Sequence, residues 1–208
     1  MKPLAAARLY GIVDLGYLSA ETAPVAAERL LEGGVDVLQL RAKGAPLQLI
    51  ADLAREIHGL TRAAGVPLIL NDHPGLLRDV PAEGAHVGHD DMSVAEARRA
   101  AGRECLIGKS THSFEQALAA AANGADYIGF GPLFATPTKP GRLPIGLGDI
   151  AKVCSTVKIP VFCIGGIKPG NLPEVIAASA QRVVIVSGWL QADDIPSAVR
   201  ATRAAFTP

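Results

Sequence analysis

Residues 136–139 read Thr-Pro-Thr-Lys and close the run GFGPLFATPTKPG, which sets two hydroxyls and an ammonium beyond a Gly-rich apolar stretch. Thr136, Thr138 and Lys139 are donors of the kind phosphate oxygens need, and Gly129 and Gly131 let a ligand approach the backbone. Four further polar clusters stand where apolar runs end. They are Gln39, Arg41 and Lys43 in QLRAK, the pair Asn71 and Asp72, the pair Asp90 and Asp91, and Ser110 with His112 in GKSTH. Five such clusters at five strand ends imply one shared site.

Gln39, Arg41 and Lys43 alternate with Leu40 and Ala42, so on an extended strand their side chains share one face. A guanidinium fork and an ammonium suit a diphosphate, and Gln39, deepest in the strand, suits the edge of a heterocycle. The plainer reading is a strand running out into a solvated turn, which would leave Gln39 and Arg41 desolvated without purpose. Asp72 and Asp91 end consecutive strands, and two hard oxygen ligands plus substrate phosphates are a common way to hold Mg²⁺. Asp90 points away if the chain stays extended, and the alternative for Asp91 is a cap on the helix entered at Ser93. His73, His86, His89 and His112 raise a rival reading, a His/Asp transition-metal centre. Against it, His86 lies inside a strand and reads as a hydrogen-bonded core residue, while His112 stands beside Ser110, where an imidazole can move a proton. Near the C-terminus, IGGI (164–167, with Gly166) and VSG (186–188, with Val186 and Ser187) place bare backbone N–H groups before helix starts, a phosphate-binding arrangement.

The elements that must carry these residues alternate regularly. Apolar, β-branched runs cover 9–14, 35–41, 67–71, 85–88, 105–109, 127–131, 161–165 and 183–187. Helical patterns lie between them near 22–32, 47–64, 74–78, 94–101, 114–123, 147–153, 172–178 and 195–205. Ser113 and Gln116 have capping-box spacing, Gly124 falls at a C′ position, and Gly33–Gly34 and Gly65 stop two earlier helices. Eight strands, each continuously apolar, with eight helices predict a (β/α)8 TIM barrel formed by residues 1–208 as one domain. A doubly wound sheet is the alternative. It is disfavoured because Asp14-Leu15-Gly16, not a dinucleotide glycine turn, follows the first strand, and because polar clusters end nearly every strand.

Composition narrows the function. Twenty basic residues balance twenty acidic ones without a long run of either sign, and 49% of residues are hydrophobic. This excludes an electrostatic footprint for nucleic acid or an anionic membrane and points to small-molecule ligands. No uncharged run reaches the roughly 18 residues of a membrane span, so the expectation is a soluble, cytoplasmic protein, with homo-oligomerisation left open. Cys105, Cys154 and Cys163 lack Cys-x-x-Cys spacing and read as reduced thiols rather than a disulfide or zinc site.

In order, these clusters resemble the thiamine-phosphate synthase (thiamine-phosphate pyrophosphorylase) family over nearly the whole chain, from Tyr10 to Ser187. The family pattern of Q-L-R-x-K, N-D, H-x-G-x-x-D, G-x-S-x-H, D-Y-x-x-x-G-P, T-x-T-K, I-G-G-I and a closing V-S is present throughout. The resemblance implies a TIM barrel that couples 4-amino-2-methyl-5-hydroxymethylpyrimidine diphosphate to thiazole phosphate, giving thiamine phosphate and diphosphate by a dissociative path. It implies that Gln39, Arg41, Lys43, Asn71, Ser110 and Lys139 hold the pyrimidine diphosphate, with Arg41, Lys43, Ser110 and Lys139 as the catalytic set. Asp72 and Asp91 would hold Mg²⁺, and Thr136, Thr138, Gly166, Val186 and Ser187 the thiazole phosphate. Departures from the pattern are His89 where Gln is usual, Ala42 where an acidic residue is common, a short 140–145 loop, and Trp189 in place of a smaller residue. Two alternatives remain. One is a TenI-like thiazole tautomerase using His112, a group that tends to lose the two Asp residues and the Thr-x-Thr-Lys loop kept here. The other is a catalytically silent ligand-binding barrel.

Overall fold

The apolar runs become strands covered on both sides. A computed structural model describes residues 3–136, 141 and 143–206. Among these residues the strands are β1 (Leu9–Asp14), β2 (Val37–Arg41), β3 (Leu68–Asn71), β4 (Gly84–Val87), β5 (Leu106–Thr111), β6 (Tyr127–Phe130), β7 (Val161–Ile164) and β8 (Val183–Ile185). All pair in parallel in chain order, and β8 returns to β1 with Tyr10 opposite Val184, closing the barrel. The helices are α1 (Ala23–Gly33), α2 (Leu47–Ala64), α3 (Val94–Ala101), α4 (Phe114–Ala122), α5 (Ile150–Thr156), α6 (Leu172–Ala177), α7 (Ser187–Leu190) and α8 (Ile195–Ala204).

Period-two alternation sorts each strand between two cores. On β1, Tyr10 and Ile12 point into the barrel with Val37, Ile69, Tyr127, Phe162 and Val184. Leu9 and Val13 point outward with Leu38, Leu40, Leu68 and Leu70, against the helices. Because both faces are buried, the strands read as unbroken apolar runs.

Several boundaries differ from the sequence expectation, each for a local reason. After β3 the chain forms a 3₁₀ turn, Pro74–Arg78, not an α-helix. β5 runs two residues further than expected, to Thr111, which keeps Ser110 inside the strand opposite Gly129. β8 stops at Ile185 because Ser187 opens the short helix α7. The complete capping box lies at α3, where Ser93 Oγ accepts from Glu96 N and Ser93 N donates to Glu96 Oε2. At α4 only half of the expected box forms: Ser113 Oγ accepts from Gln116 N, but Gln116 Oε1 turns to the His112 N–H at 2.8 Å.

The end of the barrel opposite the strand C-termini is tied by Asp36, whose Oδ2 accepts from Arg8 N (2.9 Å), Leu9 N (3.0 Å) and the Arg203 guanidinium (2.8 Å). Burial pushes this carboxyl up, but the backbone N–H donors and Arg203 outweigh burial and hold it below its ordinary value. Among the described residues no helix is long and apolar enough to cross a membrane.

Candidate active site

The strand C-termini surround a cavity whose space, its open mouth included, is about 930 Å³. Of the residues singled out above, Gln39, Arg41, Asn71, Ser110, Thr136, Gly166, Val186 and Ser187 line it, as does His112. Lys43, Asp72 and Asp91 are not in its wall, and Thr138 and Lys139 lie outside the described residues.

Gln39 and Arg41 share the inner face of β2, but the alternation breaks at Lys43. β2 ends at Arg41 and the chain turns through Gly44, leaving the Lys43 side chain 67% exposed, with its ammonium 3.9 Å from Asp72. Arg41 also has a partner the sequence did not suggest. Its Nη1 donates to both Asp14 oxygens at 2.9 Å, and Asp14 is buried at the end of β1 opposite Arg41. The pair is neutral overall and rigid, and it leaves the remaining guanidinium N–H groups for a ligand.

Asp72 and Asp91 are both tied to the end of β4. The Asp72 N–H donates to His86 O (2.9 Å), and Asp91 Oδ2 accepts from Gly88 N (2.9 Å). Asp72 holds a left-handed backbone, φ +63, a conformation that costs a non-glycine residue about 1–3 kcal/mol and collects at functional sites. Asp91 does not cap α3; Ser93 does. The loop carrying Asp91 is gathered around the Lys109 ammonium, which donates to the carbonyls of Gly88 (2.6 Å), His89 (3.2 Å) and Met92 (2.8 Å). Among the described residues no group of three or more His, Cys, Asp or Glu is placed to hold a metal, so the four histidines do not assemble a His-rich centre.

The cavity floor is a chain of hydrogen bonds. Gln39 Nε2 donates to Tyr10 Oη (3.0 Å), Tyr10 Oη lies 2.9 Å from Tyr127 Oη, Tyr127 Oη lies 3.3 Å from His86 Nδ1, and His86 Nε2 lies 2.9 Å from Ser110 Oγ. Burial pushes both phenols well above their ordinary values, so each keeps its proton. His86 lies inside β4 and is hydrogen-bonded, as expected, but it also faces the cavity and bridges polar groups of β5 and β6. His112 is fixed by its Nδ1 donating to the Gly131 carbonyl.

Gly131 lines the cavity, as does Gly129, and has a structural task as well. A Cβ there would sit 2.0 Å from the Ile164 carbonyl oxygen, so glycine lets β6 leave the barrel against β7. The segment after β6 is bonded to the β7 loop through Leu133 N to Ile164 O (2.9 Å) and Phe134 N to Gly165 O (3.0 Å), which brings Thr136 to the cavity. Trp189 faces away from the cavity; its indole is buried and donates to Thr202 on α8.

With this geometry in view, comparison with known proteins is decisive. Residues 9–189 match the family model described as thiamine monophosphate synthase. The chain belongs to the thiamine monophosphate synthase family. It is 43% identical over 198 residues to the thiamine-phosphate synthase of Chloroflexus aurantiacus, covering 95% of this chain and 91% of that one. It is 44% identical over 178 residues to the thiamine-phosphate synthase of Thermus thermophilus, covering 85% of each. The solved structure of thiamine phosphate pyrophosphorylase from Pyrococcus furiosus superposes with TM-score 0.85 at 32% identity, over 96% of this chain and 95% of that one. The chain is thus a transferase of thiamine biosynthesis.

Within this synthase fold, the polar cavity residues that sequence reasoning did not single out include Asp14, Tyr10 and Tyr127. An acid ending the apolar run of β1 was the available signal for Asp14. The two tyrosines gave none, because an aromatic residue in a strand reads as packing until the register aligns its hydroxyl with a partner.

Proposed function

We propose that this chain couples an aminopyrimidine carrying a methylene diphosphate to thiazole phosphate, releasing diphosphate and forming thiamine phosphate. The observation that carries the reading is that one cavity gathers Gln39 and Ser110 at its floor, Arg41 and Asn71 on one wall, and Thr136, Gly166, Val186 and Ser187 on the other. That arrangement suits a heterocycle below and two separate phosphate groups at the mouth.

In this reading the pyrimidine edge seats on Gln39 and Ser110. Arg41, held rigid by Asp14, donates to the diphosphate together with Asn71, Lys43 and Lys139. Thr136, Thr138 and the backbone at Gly166, Val186 and Ser187 take the thiazole phosphate. Asp72 and Asp91 fit Mg²⁺ by donor chemistry: both are partly or fully exposed carboxylates, the Asp72 backbone and the Asp91 side chain being bonded at the end of β4. When bound, the ion supplies charge neutralisation for the departing diphosphate. The bond between the pyrimidine methylene carbon and the diphosphate oxygen breaks with its electron pair going to diphosphate. The thiazole nitrogen lone pair then closes on that carbon. No protein nucleophile takes part; the chain stabilises departing charge and aligns the two partners, effects each worth several kcal/mol. Such a soluble small-molecule reaction, with three thiols outside any disulfide, fits a cytoplasmic setting.

The test is to incubate the protein with both substrates and Mg²⁺ and detect thiamine phosphate by mass and by fluorescence after oxidation, with each component omitted in turn. Absence of product with all components present refutes the reading. A second reading, isomerisation of a thiazole carboxylate phosphate, is favoured by one observation, the His112 imidazole in the cavity wall. It requires that His112→Asn abolish the isomerisation and Asp72→Ala leave it intact.

A further inference from the structure

One proton arrangement of the floor chain follows from its first donor and gives every link a proton in turn. Gln39 Nε2 donates to Tyr10 Oη; in this arrangement the Tyr10 proton goes to Tyr127 and the Tyr127 proton to His86 Nδ1. An imidazole that accepts at Nδ1 carries its proton on Nε2, which donates to Ser110 Oγ. Ser110 then has its own hydroxyl proton to give, and Gln39 has its Oε1 to receive. In this arrangement the two groups at the ends of the chain have opposite roles, although no bond joins them directly.

We propose that Tyr10, Tyr127 and His86 are positioning residues that lock the floor into one polarity, with Gln39 Oε1 as acceptor and Ser110 O–H as donor. Such a floor selects a heterocycle edge on which an amino group stands beside an unprotonated ring nitrogen. An edge with a carbonyl beside a ring N–H presents the reverse pattern and meets acceptor against acceptor and donor against donor. To admit it, five side chains would have to reverse together. Ring packing holds the linked oxygens in place, since Tyr10 and Tyr127 are edge-packed on Phe162 with centroids 5.3 and 5.8 Å away, so the links must reverse as a set. Gly108 carries no side chain where a Cβ would sit 2.1 Å from Tyr127 Cζ and 2.5 Å from His86 Nδ1, so the strand leaves space for this one contact. The inference rests on the pyrimidine reading above and specifies which pyrimidines enter.

The experiment measures calorimetric binding of two uncharged probes, the aminopyrimidine alcohol and its oxo counterpart, so neither Mg²⁺ nor turnover enters. The native protein should prefer the amino compound by about 100-fold or more, since a polar site rejects mismatched partners strongly. Tyr127→Phe should reduce that preference to about 10-fold or less, because His86 and Ser110 are then free to reverse, while thiazole phosphate affinity stays unchanged. Tyr10→Phe cuts the chain at a second point and should act alike, which covers failure of either variant to fold. Nitrogen NMR of His86 should show the Nε2–H tautomer in the native protein and a mixture in Tyr127→Phe, a readout independent of any ligand. A folded variant that keeps both the native preference and the native tautomer overturns the relay and leaves the coupling reaction standing. A native protein with the Nε2–H tautomer that binds neither pyrimidine overturns the functional reading, and this selectivity with it.

Discussion

Gly108→Ala should damage the barrel interior through a single added methyl. The added Cβ would lie 2.1 Å from Tyr127 Cζ and 2.5 Å from both Tyr127 Oη and His86 Nδ1. None of these atoms is the loose end of a flexible chain: Tyr127 is 1% exposed and wedged between Tyr10 and Phe162. The ring must shift, and its bonds to Tyr10 and His86 stretch with it. Overpacking of a filled core costs about 1–3 kcal/mol, and each hydrogen bond lost adds about 1 kcal/mol. A central figure of about 3 kcal/mol lowers Tm by roughly 6–12 °C for a chain of this size. Gly59→Ala is the control: Gly59 lies in α2 with nothing within 4 Å of its would-be Cβ, so the same change there should add about 0.5–1 kcal/mol. Both are read by circular dichroism melts. A Gly108→Ala melt within about 2 °C of the parent would refute the packing argument.

Asp36→Asn should destabilise the fold at neutral pH. Because this carboxyl is held below its ordinary value, its contribution is present above the unfolded pKa of about 4 and is lost as pH falls through the lower folded value. Urea midpoints should therefore differ most at pH 7 and converge at pH 3; a difference that grows in acid would contradict the assignment. Lys109→Met removes the ammonium that gathers the Asp91 loop, where hydrogen bonds to a charged donor are worth about 1.5–3 kcal/mol each. The Mg²⁺ concentration for half-maximal rate should rise at least about 10-fold, with partial recovery in Lys109→Arg, and an unchanged Mg²⁺ titration would remove Lys109 from this role.

The barrel was legible in the sequence because burial on both faces writes strands as apolar runs, as in Val161–Ile164 and Val183–Ile185. The site was legible where polarity contradicts such a run, at Gln39, Arg41 and Ser110. It was misjudged where direction depends on the strand's last residue: Lys43 leaves the shared face because β2 ends two residues earlier. It was invisible where a side chain is mostly apolar, since Tyr10 and Tyr127 reveal their hydroxyls as links only when β1 and β6 meet across the barrel. The glycines carried a similar ambiguity. Gly131 read as room for a ligand, and it also makes room for a neighbouring strand's atoms, as Gly108 does.

The central claim is that one cavity holds both substrates at once, and calorimetry tests it directly. Thiazole phosphate is titrated into the Mg²⁺-loaded protein with and without a saturating pyrimidine diphosphate analogue whose bridging oxygen is replaced by carbon to prevent ionisation. The account predicts that both ligands bind together with one site each, the pyrimidine analogue losing affinity in Gln39→Leu and thiazole phosphate losing it in Thr136→Val. Mutual exclusion of the two ligands would contradict it.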